Sequence, residues 1–370
     1  MTILKNKRVK WKIIIPVLSL LLVAVIAVFA LLAIFREEET HVVSLGTAGV
    51  SEDAFHYYLA TYKYEFLREY KEEGLRDNGA SWRSLSSDGE HTWEKLFYLE
   101  FSDYLARKIA AAAIFDASYS LSATSRGEIN AKFKSVLAEN GGKKAVNEAL
   151  SLYSCDSEDL RRAMTLDYKG AMLYSILYGT NGSGLPEGLL EETYQKEFAH
   201  VQTVFIRTAG KINSDGTKTE LTATEQEEAE RKIATLQAYL EDGMTEAEIL
   251  SLQAQFNEDE IAAKYPNGIY LSEIGVHDEK VIEQALSLKV GEGALVQGEY
   301  GAYLIYRLSN PVGAYAQEAN AEWFRGFTQT VAEREYGKLI EGVLSDVRFE
   351  EDLFYDDLVI LTPKNYEIVY

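Results

Sequence analysis

Residues Ile13 to Phe35 are apolar throughout except for Ser19, with Pro16 near the start, and no other feature limits the chain so strongly. As an α-helix this stretch would extend about 34 Å, against a bilayer hydrocarbon core of about 30 Å. It therefore reads as a transmembrane helix. Lys5, Lys7, Arg8, Lys10 and Lys12 precede it, and Glu37, Glu38 and Glu39 follow it. Basic flanks stay in the cytoplasm, so residues 1–12 are expected inside and everything after the helix outside. Retention is expected over cleavage, because a signal peptide has a shorter apolar stretch, about 7–15 residues, and small residues before its cut. Val28-Phe29-Ala30 fits that pattern only loosely, and a cut there would leave Leu31 to Phe35 as an exposed apolar terminus. The one cysteine, Cys155, lies far from this segment, so lipidation is not the anchor.

Five of the 37 basic residues lie in the first twelve positions, which leaves 32 basic against 58 acidic residues and a formal charge of −26 beyond them. Nucleic-acid binding needs a basic face and is excluded on this balance. A solvated acidic surface is the plain reading, with attraction to basic unfolded chains the other. In an oxidising compartment a single cysteine makes no internal disulfide, so the fold must hold by its core.

After the anchor, Val42 to Gly46 reads as a short strand. Ser51 can cap a helix with Glu52 and Asp53 in its first turn, and Phe55, Tyr58, Leu59, Tyr62, Phe66 and Leu67 recur at spacings of three and four. Asn78 to His91 is polar and reads as a loop. Helical patterns return at Trp93–Phe115, Arg126–Glu139, Lys144–Leu152 and Ser157–Tyr178, the last with Ser157 as its cap, until Asn181 to Pro186 breaks the pattern. The middle third changes character. Val201–Arg207 has strand composition, Asn213 to Gly216 a turn, and Thr224 with Glu227 and Thr245 with Glu248 look like capping boxes. Ile269–Leu271 and Tyr300–Leu308 read as strands, with a short helix Lys280–Leu288 between them. Gln317–Val347 is again helical. The expected class is α+β: a transmembrane helix at 13–35, a helical domain at 41–190, an inserted α+β module at 191–312, and a C-terminal helix and tail at 313–370.

Five stretches, in this order, resemble SurA/PrsA-type extracytoplasmic foldases, whose helical chaperone lobe is interrupted by a parvulin peptidyl-prolyl isomerase module. They are Val42–Leu45 leading into Val50–Leu59; Tyr194–Ile206; Phe256–Asp259 with Tyr265–Tyr270; Ala285–Glu292; and Tyr300–Leu308. The resemblance implies a bacterial folding factor. Prolyl isomerisation breaks no bond but crosses a barrier of about 20 kcal/mol. It asks for an apolar pocket and for hydrogen-bonding groups that favour the twisted amide. In parvulins these are a histidine on the first strand, one on the last, a central Asp or Cys, and a Met/Phe pocket.

Carried over position by position, the first histidine falls on Val204 and the last on Tyr303, the acid on Asp259, the phenylalanine on Val281 and the methionine on His277, while Leu286 keeps an apolar helix position. Asp259 and Tyr303 are thus the candidate catalytic residues, and Phe205, His277, Val281 and Leu286 the candidate substrate contacts. The competing readings are a turn residue for Asp259, core aromatics for Phe205 and Tyr303, and a surface-loop residue for His277. Because Val204 has no hydrogen-bonding side chain, weak or absent isomerase activity is expected. The five histidines are scattered without metal-ligand spacing, no phosphate loop or nucleophile elbow is present, and no cofactor or metal is expected.

The expected function is a membrane-tethered chaperone that holds unfolded or newly exported polypeptides, with the Tyr and Phe faces of the helical lobe as contact area or, on the plainer reading, as its own core. Two alternatives stand beside it: an active isomerase using Asp259 and Tyr303, and a non-catalytic docking or assembly partner.

Overall fold

The computed structural model describes residues 41–212, 218–260, 264–275 and 277–350. The proposed anchor Ile13–Phe35 lies outside these residues. Among the described residues no helix is long and apolar enough to cross a membrane. The fold is mixed α+β and mostly helical. The chain divides into two compact units, one made of residues through Leu177 together with those from Glu335, the other of Tyr178–Arg334.

The first unit opens with the hairpin β1 (Val43–Leu45) and β2 (Ala48–Val50). Leu45 faces Ala48 across a two-residue turn, and Gly46 there takes φ of 60°, a conformation that suits glycine. The sheet has a third strand that the sequence does not announce: β9 (Arg348–Phe349) pairs antiparallel with β1, Val43 facing Phe349. Helix α1 (Glu52–Glu69) is capped by Ser51, whose hydroxyl accepts from Ala54 N. The polar stretch at 78–91 contains one short helix, α2 (Gly79–Trp82), capped by Asn78. Helix α3 (Trp93–Ser118) is the core element: Phe97, Phe101, Leu105, Ile109 and Ala110 are each fully buried. Helices α4 (Ala123–Glu139), α5 (Lys143–Leu150) and α6 (Ser157–Tyr178) follow. The cap of α6 is Asp156 rather than Ser157, because its Oδ1 accepts from Glu158 N and Asp159 N. A carboxylate there also complements the helix dipole.

The rings of α1 and α3 face each other. Phe101 lies 5.5 Å from Phe55, 5.6 Å from Tyr62 and 5.8 Å from Phe97, and Phe66 lies 5.2 Å from Phe97. Phe55, Tyr57, Tyr58, Phe66, Phe97 and Phe101 are at most 2% exposed. These rings are the core of the lobe, so the plainer of the two readings holds and they are not a client-facing surface. Within this core Lys63 is fully buried, its ammonium 2.8 Å from Asp77 and over the Trp82 ring.

The second unit is built around β3 (Ala199–Arg207), entered from α7 (Glu187–Glu197). A short ribbon, β4 (Lys211–Ile212) with β5 (Lys218–Thr219), follows. Helix α8 (Ala223–Glu241) carries its capping box on Thr222 and Glu225, two residues before the expected pair. Helix α9 (Glu246–Phe256) has the expected box of Thr245 and Glu248. Then come β6 (Ile269–Leu271), α10 (Glu279–Ser287), β7 (Gly293–Gln297) and β8 (Gly301–Arg307). The sheet order is β6-β3-β8-β7, antiparallel throughout. Strand β7 is short and lies at the sheet edge. The helix expected over 317–347 begins only at Phe327, after two short 3-10 turns, and α11 spans Phe327–Leu344.

Both faces of β3 are covered, and every residue from Ala199 to Ile206 is buried. Val204 and Ile206 pack with Leu304 against Ala229 and Leu236 of α8 and Ile249 and Leu252 of α9. Ala199 and Val201 pack with Ile305 against Val281, Ile282 and Ala285 of α10. Side chains alternate along a strand, so these two sets point to opposite sides of the sheet.

Candidate functional site

The site lies on the α10 side of the sheet in the second unit. Strand β3 pairs with β6 only over Ala199–Val201, so the rest of that edge must satisfy its backbone elsewhere. It does so with the end of α9. Gln253 Nε2 donates to Thr203 O at 3.1 Å, Phe205 N donates to Asn257 Oδ1 at 2.9 Å, and Glu258 N donates to Phe205 O at 2.9 Å. Asn257 also holds the next turn, accepting from Asp259 N and donating to Asp259 O. Asp259 is thereby pinned beside β3 as the residue that ends this false strand.

Tyr303 on β8 stands directly opposite Phe205 on β3, with ring centroids 4.6 Å apart. His277 meets the Tyr303 ring edge-on at 5.5 Å. The three rings form one stack, and the Arg207 guanidinium lies over the Phe205 ring at 5.5 Å. His277 is half-buried rather than a surface-loop residue. It is followed by Asp278, which caps α10 through Lys280 N and also accepts from Glu299 N at 2.6 Å. That second bond ties the β7–β8 turn to the start of α10. Gly298 makes the approach possible: a Cβ there would fall 2.6 Å from Asp278 Oδ2 and 3.2 Å from Tyr303 Cε2.

Burial pushes the Tyr303 hydroxyl up to about 12, and the carboxylates of Asp259 and Asp278 add to the effect. Tyr303 is therefore an O–H donor at neutral pH. Burial holds His277 below the ordinary histidine value, with Asp259 and Asp278 opposing it. Asp278 N donates to His277 Nδ1 at 2.9 Å, so the proton of the neutral ring sits on Nε2. The arrangement offers two hydrogen-bond donors beside an apolar ring surface and two carboxylates. It can orient and polarise an amide. It holds no activated nucleophile, and Cys155, buried in the other unit, has its thiol pushed up to about 12 by burial. Among the described residues no group of three or more His, Cys, Asp or Glu side chains could hold a metal.

The structure gathers Asp259, His277, Tyr303 and Phe205, packs Val281 and Leu286 in the same cluster as Tyr303, and separates Val204 from them. Val204 is fully buried on the opposite face, under α8 and α9, so the position carried over for the first-strand histidine is one residue out of register. A one-residue slip moves a side chain to the other side of a sheet. The β3 residue flanking the ring stack on its own face is Thr203, whose buried hydroxyl has no hydrogen-bond partner among the described residues. Val281 of α10 is fully buried and presents no open wall, while Leu286 is a partly buried residue packed against the same cluster. His200, the histidine that β3 does carry, is stacked on Tyr270 and held between Ser309 O and Asn267 O, so its role is in the architecture. Sequence reasoning missed Thr203, Asn257 and Asp278. Asp278 was within reach, as an Asp just before an apolar-periodic helix, and the alternation of β3 would have given Thr203.

No protein-family model matches the chain, and no curated protein matches it. Among solved structures, it is similar to the foldase protein PrsA of Streptococcus pneumoniae at 12% identity, covering 76% of this chain and 100% of that one, with a TM-score of 0.24. The peptidylprolyl isomerase PrsA of Bacillus cereus is matched at 12% identity over 77% of this chain and 99% of that one, with a TM-score of 0.33. PrsA of Bacillus subtilis is matched at 16% identity over 74% and 96%, with a TM-score of 0.23. Likeness at this level is coarse.

Proposed function

We propose that the chain is a membrane-tethered bacterial folding factor that holds unfolded or newly exported polypeptides outside the cytoplasm, anchored through residues 13–35, with a parvulin-like second unit of little or no isomerase activity. One observation carries the reading. The second unit runs strand, two helices, strand, helix and a strand hairpin around a four-stranded antiparallel sheet, and it converges Asp259, His277 and Tyr303 on one face without placing a histidine on that face of β3 or β8. Tyr303 can donate one hydrogen bond and lies against the Phe205 and His277 rings, but the buried Val281 leaves no open wall for a proline ring. Sequence-tolerant contact with an extended peptide needs only rings and donors, whereas barrier lowering needs a pocket that fits the twisted amide.

Two assays on the purified protein test this. Aggregation of a chemically unfolded client should slow in proportion to added protein, and isomerisation of a prolyl tetrapeptide should barely accelerate. Strong isomerase activity that Asp259→Ala abolishes would replace this reading with that of an enzyme. Inactivity in both assays would favour a docking or assembly role.

A further inference from the structure

The ring stack closes on itself, and the group that closes it is titratable. His277 lies against Tyr303, with ring centroids 5.5 Å apart, and accepts a bond that only the neutral imidazole can accept, Asp278 N donating to Nδ1 at 2.9 Å. A protonated ring carries hydrogen on both nitrogens, so Nδ1 would turn from acceptor to donor and face another N–H. The same protonation would place a cation in a half-buried position.

We propose that His277 is a proton-operated gate on the peptide site: neutral, it closes over Tyr303; protonated, it leaves, and Tyr303 becomes open to an apolar or aromatic side chain of an extended peptide. The proposal rests on the reading of this face as a peptide site. The charged and titratable groups around His277 come from each element packed there. Asp259 comes from the segment after α9, Asp278 from the start of α10 and Tyr303 from β8. Beyond Tyr303 lie Arg207 of β3 and Tyr300 of the β7–β8 turn. The two carboxylates attract the imidazolium, but burial outweighs them in the closed arrangement and holds His277 below its ordinary value. Asp278 already accepts from Lys280 N and Glu299 N, so its oxygens are engaged in holding the turn.

The linkage has a definite sign. Closed, the site disfavours the proton; open, with a ligand on Tyr303, the ring is solvated and titrates near the ordinary value of about 6.5. Ligand binding therefore takes up a proton, and affinity should rise as pH falls below about 6.5, approximately tenfold for each unit by which His277 is shifted on opening. The contribution of His277 to folding has the matching direction. The closed fold binds this proton more weakly than the unfolded chain, so that contribution is complete above the unfolded value and falls away as pH drops below it.

The test uses the full chain in detergent, with ¹³C-labelled histidine and tyrosine rings and the fluorescent peptide Ala-Phe-Pro-Phe as probe. In the free protein the Tyr303 ring signal should move with the same midpoint as His277. Peptide affinity should increase between about pH 7.5 and 5.5 in the unaltered protein. His277→Asn keeps an acceptor but cannot take up the proton and should abolish that rise. His277→Ala should bind at every pH with the affinity of the open form. Equal pH slopes in the unaltered protein and His277→Asn, or a Tyr303 signal indifferent to His277 titration, would overturn the gate. Coupled signals with no peptide bound at any pH, even by His277→Ala, would keep the gate and reject the peptide-site reading instead.

Discussion

Replacing Phe101 by alanine decides whether the aromatic faces of the first unit are core or client surface. The Phe101 ring is fully buried and lies within 6 Å of Phe55, Tyr62 and Phe97. None of these rings can move into the space without leaving other partners, so the truncation combines lost transfer energy with a residual cavity. Changes of this kind cost about 3–5 kcal/mol. In a unit of this size each kcal/mol lowers the melting temperature by about 2–4 °C, so a fall of roughly 6–20 °C is expected. Differential scanning calorimetry reads the shift against the unaltered protein. Leu99 on the same helix is 43% exposed and serves as the control, with Leu99→Ala expected within about 0.5 kcal/mol of the unaltered protein. At temperatures where both variants remain folded, client holding should be unchanged by Phe101→Ala. Lost holding with an unshifted melting temperature would refute the assignment of these rings to the core.

The buried ion pair should respond asymmetrically: Asp77→Ala removes the carboxylate from the fully buried Lys63 ammonium and should cost about 3–5 kcal/mol, while Lys63→Met leaves a partly solvated carboxylate still bonded to Trp82 and should cost far less. Burial holds Lys63 below its ordinary 10.5, so the folded state binds this proton more weakly than the unfolded chain; its contribution should make stability rise with pH up to that value, and urea titrations of Lys63→Met should lack that component. On the second unit, Val204→His places an imidazole among the side chains of α8 and α9 and should lower stability by about 2 kcal/mol or more without raising isomerase activity. Thr203→His places it on the Tyr303 face, and of the two variants only this one should alter turnover in the prolyl peptide assay.

The local elements are legible in the amino-acid sequence alone. Ser51 before a 3.6-residue aromatic period, and Thr245 three residues before Glu248, are signals carried by neighbouring residues, and α1 and α9 begin where they place them. The change from helical to strand composition near residue 200 is equally local and marks β3. The remainder is decided by partners distant along the chain. Trp82, in a stretch that reads as a polar loop, and Asp77 just before it enclose Lys63 only because α1 passes beside them. Arg348 and Phe349 become a strand only because β1 offers an edge. The candidate site shows the same division. That Asp259 and Tyr303 belong to one chemistry can be argued from motifs, but which residue of β3 stands with them depends on register. Val204 and Thr203 are neighbours in sequence with similar strand propensity. Only pairing with β8, which sets Phe205 against Tyr303, sends one beneath two helices and the other to the face of the ring stack.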